Sequence, residues 1–208
     1  MALILDFKRL TKKDIVLAGG KGASLGELTR FGIPVPRGLV ILSTAFDKFL
    51  IENNLNIEID SILNKVNPEE IYTVENASKK IRTLILNAQI PKDIADTIKT
   101  FFAKLNRKYV AVRSSATAED SANAAWAGQL ETFLNTTKNS LLQNVQKCWA
   151  SLFTPRAIFY RFSENLSKQK ISVAVVVQEM VQSKASGIAF SVHPVTQNPN
   201  QIIIEAGF

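Results

Sequence analysis

The spacing of apolar residues changes near residue 109, and this change constrains the fold more than any other feature of the sequence. Residues 76–88 and 91–105 carry apolar side chains at i, i+4, i+7 and i+11, which is typical of amphipathic helices. From Tyr109 onward, strands are predicted at 109–113, 131–135, 173–179, 187–192 and 201–205. Helices followed by a strand-rich part predict an α+β fold.

Turn signals predict how this fold is divided. Thr44, with Asp47 three residues later, is predicted to cap a helix. We expect two lobes, residues 1–108 with most of the helices and residues 109–208 with most of the strands. Shorter patterns predict further helices over 23–30, 56–64, 139–152 and 155–162, and a strand over 38–42.

Composition narrows the class of protein. Hydrophobic residues make up 46% of the 208 residues, which is enough to bury a core. No stretch approaches 18 consecutive apolar residues, so we expect no membrane partner. The single cysteine, Cys148, cannot form an internal disulfide, which suits a cytoplasmic protein. Its position on an apolar helical face favours inert packing in the core.

The formal net charge is +7, which is compatible with an anionic partner. The lysines are scattered, and no run contains five like charges. A nucleic-acid protein would more typically show a clustered basic stripe with interleaved aromatic residues. The sequence therefore favours a small polyanionic ligand, or simply a lysine-rich surface, over nucleic acid.

A glycine-rich turn, Gly19-Gly20-Lys21-Gly22, precedes the helix predicted over 23–30. Glycine allows main-chain N–H groups to approach an anion closely, and the following helix contributes the positive end of its dipole. Lys21 adds a point charge suited to phosphate. The turn is not a GxxxxGK[ST] loop, and a plain turn with an exposed lysine is an equally good interpretation.

Arg113 ends the predicted strand at 109–113 and is followed by a loop of small and hydroxyl residues. A guanidinium fixed at a strand end suits bidentate contact with phosphate oxygens. The alternative is that Arg113 pairs with Glu119 or Asp120 and only fixes the loop.

Two later segments are weaker candidates. Gly128, Gln129 and Thr132 lie where this loop meets the next strand, and a plain loop-to-strand turn accounts for them equally well. The strand at 173–179 ends in Gln178 and Glu179, whose main-chain groups could face a purine edge. A core strand is the simpler interpretation.

Taken together, the motifs resemble one family. GGKGASLGEL, GIPVPRGLVI, AVRSSATAED, WAGQLETFLN, CWASLFTPRAIFYR, VVVQEMV and SGIAFSVHPVT occur in the order found in the N-terminal ATP-binding domain of phosphoenolpyruvate synthases and pyruvate phosphate dikinases. Rifampin phosphotransferases share this domain. The resemblance covers residues from about 18 to the C-terminus.

The resemblance implies an ATP-grasp-like, two-lobed nucleotide-binding domain that is incomplete at the C-terminus. It implies that Lys21 and Arg113 contact phosphates, and that Gly128, Gln129 and Thr132 belong to a loop that covers them. It also implies an adenine-side segment, formed by Gln178, Glu179 and Val181.

The residues that carry out the chemistry of this family are expected outside this chain. The resemblance implies that ATP phosphorylates a histidine on a separate domain, which then serves a pyruvate-binding domain. It also implies Mg²⁺, whose ligands are expected beyond Phe208. No catalytic residue or metal ligand is therefore assigned in this chain. The only histidine, His193, is expected to be structural.

These inferences lead to one expected function and two alternatives. We expect the ATP-binding portion of a phosphoenolpyruvate synthase-like dikinase, which is inactive alone. The alternatives are the same domain of a rifampin phosphotransferase and a non-catalytic module that binds nucleotide or pairs with another subunit.

Overall fold

A computed structural model describes residues 2–117, 130–164, 166 and 172–207. Within these residues the chain is a mixture of α-helices and antiparallel sheet, which confirms the α+β prediction. The helices are α1 Ile15–Arg30, α2 Ser43–Glu52, α3 Leu55–Leu63, α4 Ile71–Asn87, α5 Lys92–Leu105, α6 Leu141–Ala150 and α7 Pro155–Ser163. The strands are β1 Ile4–Asp6, β2 Gly38–Ile41, β3 Val110–Ala116, β4 Thr132–Thr136, β5 Val173–Glu179, β6 Ser186–Phe190 and β7 Ile203–Gly207.

The main sheet has the strand order β1-β2-β5-β3-β4, and each neighbouring pair is antiparallel. At its centre β5 pairs with β3 along its whole length, from Val173 opposite Ala116 to Glu179 opposite Val110. On its other edge β5 pairs with β2. The sheet therefore joins strands from both sides of the predicted boundary between residues 108 and 109, and the division into two lobes stays a prediction.

The larger of two cores lies between one face of the main sheet and a group of helices that includes α2, α4 and α6. Alternate residues of β2, β3 and β5 point into it, as their apolar composition requires. Phe49 and Trp149 pack at 4.8 Å between ring centroids, and Phe46 lies 5.7 Å from Trp149. Burial of the apolar faces of α2, α4 and α6 against these strands fixes the helices on this side.

The opposite face of the sheet is covered by α1. Val40, Ala174 and Val176 point to this side and form a second, smaller core with Leu10 and Phe7. The same alternation that buries one set of residues on the large core therefore directs the other set toward α1. Three of the candidate functional residues lie on this second face.

Strands β6 and β7 form a separate two-stranded sheet. Their register runs from Ser186 opposite Gly207 to Phe190 opposite Ile203. Ile188 and Ile204 are 59% and 74% exposed, so among the described residues this hairpin has no element packed over its apolar side chains.

The helix and strand predictions agree with the structure at most positions, and the exceptions have physical reasons. The cap predicted at Thr44 is wrong, because α2 begins at Ser43 with Leu42 as its N-cap. The Thr44 hydroxyl instead donates to the carbonyl of Ala2 at 3.2 Å. The helix predicted over 23–30 begins earlier, at Ile15, and bends at a glycine. In the described part of the chain, no helix combines the length and apolar character needed to cross a membrane.

Candidate functional site

The glycine turn is a break within α1. Gly19 has φ 67° and ψ 170°, a conformation that is essentially restricted to glycine, so the regular helix restarts at residue 20. The first N–H groups of a helix have no partner within the helix, and the dipole places partial positive charge there. Lys21 lies in this first turn, which is therefore suited to an anion.

The turn is held against β3 by close packing. A Cβ atom on Gly19 would lie 2.2 Å from Oγ and 2.5 Å from the carbonyl oxygen of Ser115. The buried Ser115 hydroxyl accepts a hydrogen bond from the N–H of Gly22 at 3.4 Å. Strand β3 thus caps the restarted helix from a position 93 residues away in sequence.

The strand register gathers three candidate residues on the face that α1 covers. Arg113 lies opposite Val176 on one side and Thr132 on the other. Gln178 lies opposite Ala111, two residues before Arg113 on the same strand. Since paired residues of neighbouring strands point to the same face, these three side chains share the α1 side.

Lys21 and Arg113 therefore lie in one region. Lys21 is two residues from Gly19, Arg113 is two residues from Ser115, and Gly19 and Ser115 are in contact. Both cationic residues have intermediate burial. The structure thus brings the segments that carry two cations, together with a helix N-terminus, to the same face of the sheet.

The remaining candidates are placed differently. Glu179 lies opposite Val110, whose side chain points into the large core, so Glu179 belongs to the other face of the sheet. Val181 follows the end of β5 and is 55% exposed. Gly128 and Gln129 lie outside the described residues, as do Glu119 and Asp120, the alternative partners of Arg113.

Polar contacts define the end of β5. The Gln178 amide nitrogen donates to the carbonyl of Pro36 at 3.3 Å, and Gln178 is buried. Glu179 forms ion pairs with Arg37 and Arg107. Sequence reasoning missed both arginines, because no local spacing connects Arg37 with a residue 142 positions later.

The single histidine and the single cysteine of the sequence both have contacts that indicate a structural role. Nδ1 of His193 accepts hydrogen bonds from the N–H groups of Val195 and Thr196, each at 3.2 Å, so the ring stabilises a turn. Cys148 is fully buried, and burial raises the pKa of its thiol. The thiolate is therefore disfavoured, which agrees with the expected core role.

The described residues do not fit a metal centre. Among them, no group of three or more His, Cys, Asp or Glu side chains could hold a metal ion. Divalent magnesium prefers carboxylate oxygens together with substrate phosphates. We therefore assign no magnesium ligand in the described part of the chain.

Fold and site together define an α+β domain. One face of its main sheet carries cationic residues and a helix N-terminus, which are suited to phosphate groups. A family model described as pyruvate phosphate dikinase, AMP/ATP-binding domain, matches residues 15–208. The chain belongs to this family.

Relatives agree with this assignment. The chain is 44% identical to a probable phosphoenolpyruvate synthase of Archaeoglobus fulgidus over 99% of its length, and 42% identical to one of Methanothermobacter thermautotrophicus over 97%. It is 38% identical to a rifampicin phosphotransferase of Bacillus subtilis over 100% of its length. The chain spans 28%, 30% and 24% of these three relatives, respectively.

Proposed function

We propose that the chain binds ATP on the α1 face of its main sheet, with the triphosphate at the restarted end of α1. The observation that carries the proposal is the contact between Gly19 and Ser115, which brings the segments of Lys21 and Arg113 together. A helix N-terminus, a lysine and an arginine are complementary to phosphate in charge and hydrogen bonding. Membership of an AMP/ATP-binding domain family supports the same ligand.

The other candidates are assigned by position along this face. Thr132 lies opposite Arg113 and supplies a hydroxyl to the phosphates, together with Gly128 and Gln129 of the preceding loop. We assign Gln178 and the main chain at Glu179 and Val181, at the end of β5, to the purine side. A buried strand that ends in polar residues can offer main-chain N–H and C=O groups to the edge of a purine base.

For the whole protein we propose the activity of a phosphoenolpyruvate synthase. ATP, pyruvate and water would give AMP, phosphoenolpyruvate and phosphate through a phosphohistidine on another domain. Mg²⁺ would neutralise the phosphates when bound. Lys21 and Arg113 would orient the triphosphate, and the location that we propose for the protein is the cytoplasm.

Two alternatives remain as proposals. The relative from Bacillus subtilis, a rifampicin phosphotransferase, matches the whole chain, so an antibiotic acceptor is consistent with the same ATP site. A non-catalytic module that binds nucleotide or pairs with another subunit would keep the cationic face without turnover. Under this proposal, the acceptor would be decided by domains other than this one.

Replacing Arg113 tests the ATP site. Arg113→Ala should weaken ATP binding at least several-fold in calorimetry, because a hydrogen bond to a charged group contributes about 1.5–3 kcal/mol. Arg30→Ala is the control, since it removes an exposed arginine about 14 Å further along α1 from Lys21. Equal ATP affinity in the two variants would contradict the proposal.

A further inference from the structure

Three segments of the chain meet where β5 ends. Because β5 is antiparallel to β2 and β3, its last residues lie beside the segments that lead into those two strands. The N–H of Glu179 donates to the carbonyl of Arg37 at 2.8 Å, and the N–H of Met180 donates to that of Tyr109 at 3.3 Å. The main chain at this point is thus fixed from both sides.

The side chain of Glu179 adds a second set of links between the same segments. Its Oε1 lies 2.6 Å from Nε of Arg107, and its Oε2 lies 3.4 Å from Nε of Arg37. Nη2 of Arg37 also donates to the carbonyl of Leu105 at 3.0 Å. Each carboxylate oxygen of Glu179 therefore pairs with one guanidinium group. Through its bond to Leu105, Arg37 also links the segment before β2 to the segment before β3.

Exposure indicates what this cluster contributes. The Glu179 side chain is 18% exposed, whereas those of Arg37 and Arg107 are 61% and 52% exposed. Ion pairs of this exposure contribute little to stability one at a time. Their joint geometric effect is larger, because charge-assisted hydrogen bonds to both oxygens restrict the carboxylate to one orientation.

The cluster lies where the chain leaves the sheet. Strand β5 ends at Glu179 and β6 begins at Ser186, so residues 180–185 form a link between them. Among the described residues, the N–H and carbonyl of Val181 have no hydrogen-bond partner. These main-chain groups are therefore available to a ligand just beyond the clamped position.

We infer that Arg37, Glu179 and Arg107 form a clamp that positions the main chain at 180–181 for the purine base. The inference rests on the proposed function. Glu179 is then a positioning residue rather than a ligand, because its side chain points away from the face that holds Arg113. A segment held in its bound conformation loses less conformational freedom on binding, so the clamp favours ATP affinity.

Comparison of ATP with inorganic tripolyphosphate separates the base from the phosphates. Arg107→Ala and Glu179→Gln should each weaken ATP binding about fivefold in calorimetry. Tripolyphosphate, which has no base, should bind these variants as it binds the unmodified chain. Arg113→Ala should instead weaken both ligands, since Arg113 is assigned to the phosphates. Arg107→Lys keeps the charge and should recover part of the ATP affinity.

Lys48→Ala is the matched control, because Lys48 also pairs with two carboxylates, those of Glu52 and Asp93, at a remote exposed site. It should change the affinity for neither ligand. Unchanged ATP affinity in Arg107→Ala and Glu179→Gln would overturn the clamp, as would equal losses for ATP and tripolyphosphate. If the unmodified chain binds neither ligand, the proposed ATP site itself fails, and the clamp fails with it.

Discussion

At the scale of single residues, the candidate site depends on the absence of one side chain. Gly19 combines a positive φ with a main-chain approach to Ser115 that leaves no space for a Cβ. Lys21 could be recognised from sequence as a cation in a glycine turn. The residue of β3 that packs against this turn, Ser115, could not be recognised in this way. Ser115 is one of many small residues after Arg113, and only the structure shows that its hydroxyl caps the restarted helix.

Gly19→Ala should therefore cost the folded state about 2–6 kcal/mol, from backbone strain together with overpacking. Gly32→Ala is the control, because Gly32 also has a positive φ, 75°, but an added Cβ would meet nothing within 4 Å. Urea unfolding of both variants measures the difference. Equal destabilisation would show that the contact with Ser115 is not tight.

At the scale of elements, local sequence signals were sufficient where a helix or strand is defined by its own residues. Strand β5 was predicted with its observed bounds, and α7 begins at the predicted Pro155. Thr154 adds a cap that was not predicted, since its Oγ1 accepts a hydrogen bond from the N–H of Ala157 at 3.1 Å. By contrast, the cap predicted at Thr44 is wrong, because α2 begins one residue earlier, directly after Leu42, whose N–H donates to the carbonyl of Leu3.

Thr154→Ala should lower the free energy of unfolding by about 1 kcal/mol through loss of this cap. For a chain of this size, the midpoint of thermal unfolding should fall by about 2–4 °C. Thr154→Ser retains a hydroxyl acceptor and should stay close to the unmodified protein. Scanning calorimetry that finds the two variants equally stable would rule out the cap as the cause.

At the scale of the whole molecule, the order of strands in the main sheet differs from their order in the sequence. Strand β5 lies between β2 and β3, so residues far apart in sequence become neighbours at its end. This arrangement creates the clamp of Arg37, Glu179 and Arg107 and gathers Arg113, Thr132 and Gln178 on one face.

The isolated chain should bind ATP without forming phosphoenolpyruvate from ATP and pyruvate. Phosphoryl transfer relies on positioning and on metal-assisted neutralisation of charge. Among the described residues, no group of three or more His, Cys, Asp or Glu side chains could hold that metal. Phosphorus NMR of the chain with ATP, pyruvate and Mg²⁺ should show ATP unchanged, and sustained conversion to AMP would refute this expectation.

Apolar periodicity, glycines and short motifs are local properties of the chain, and they were enough to predict the α+β class, the positions of most elements and the family. The sequence also indicated Lys21 and Arg113 as cations suited to phosphate. The tertiary structure alone decided that their segments meet through Gly19 and Ser115, and that Glu179 faces two arginines instead of the candidate site. These contacts depend on strand order and register, which join residues too distant in sequence for any local pattern to connect them.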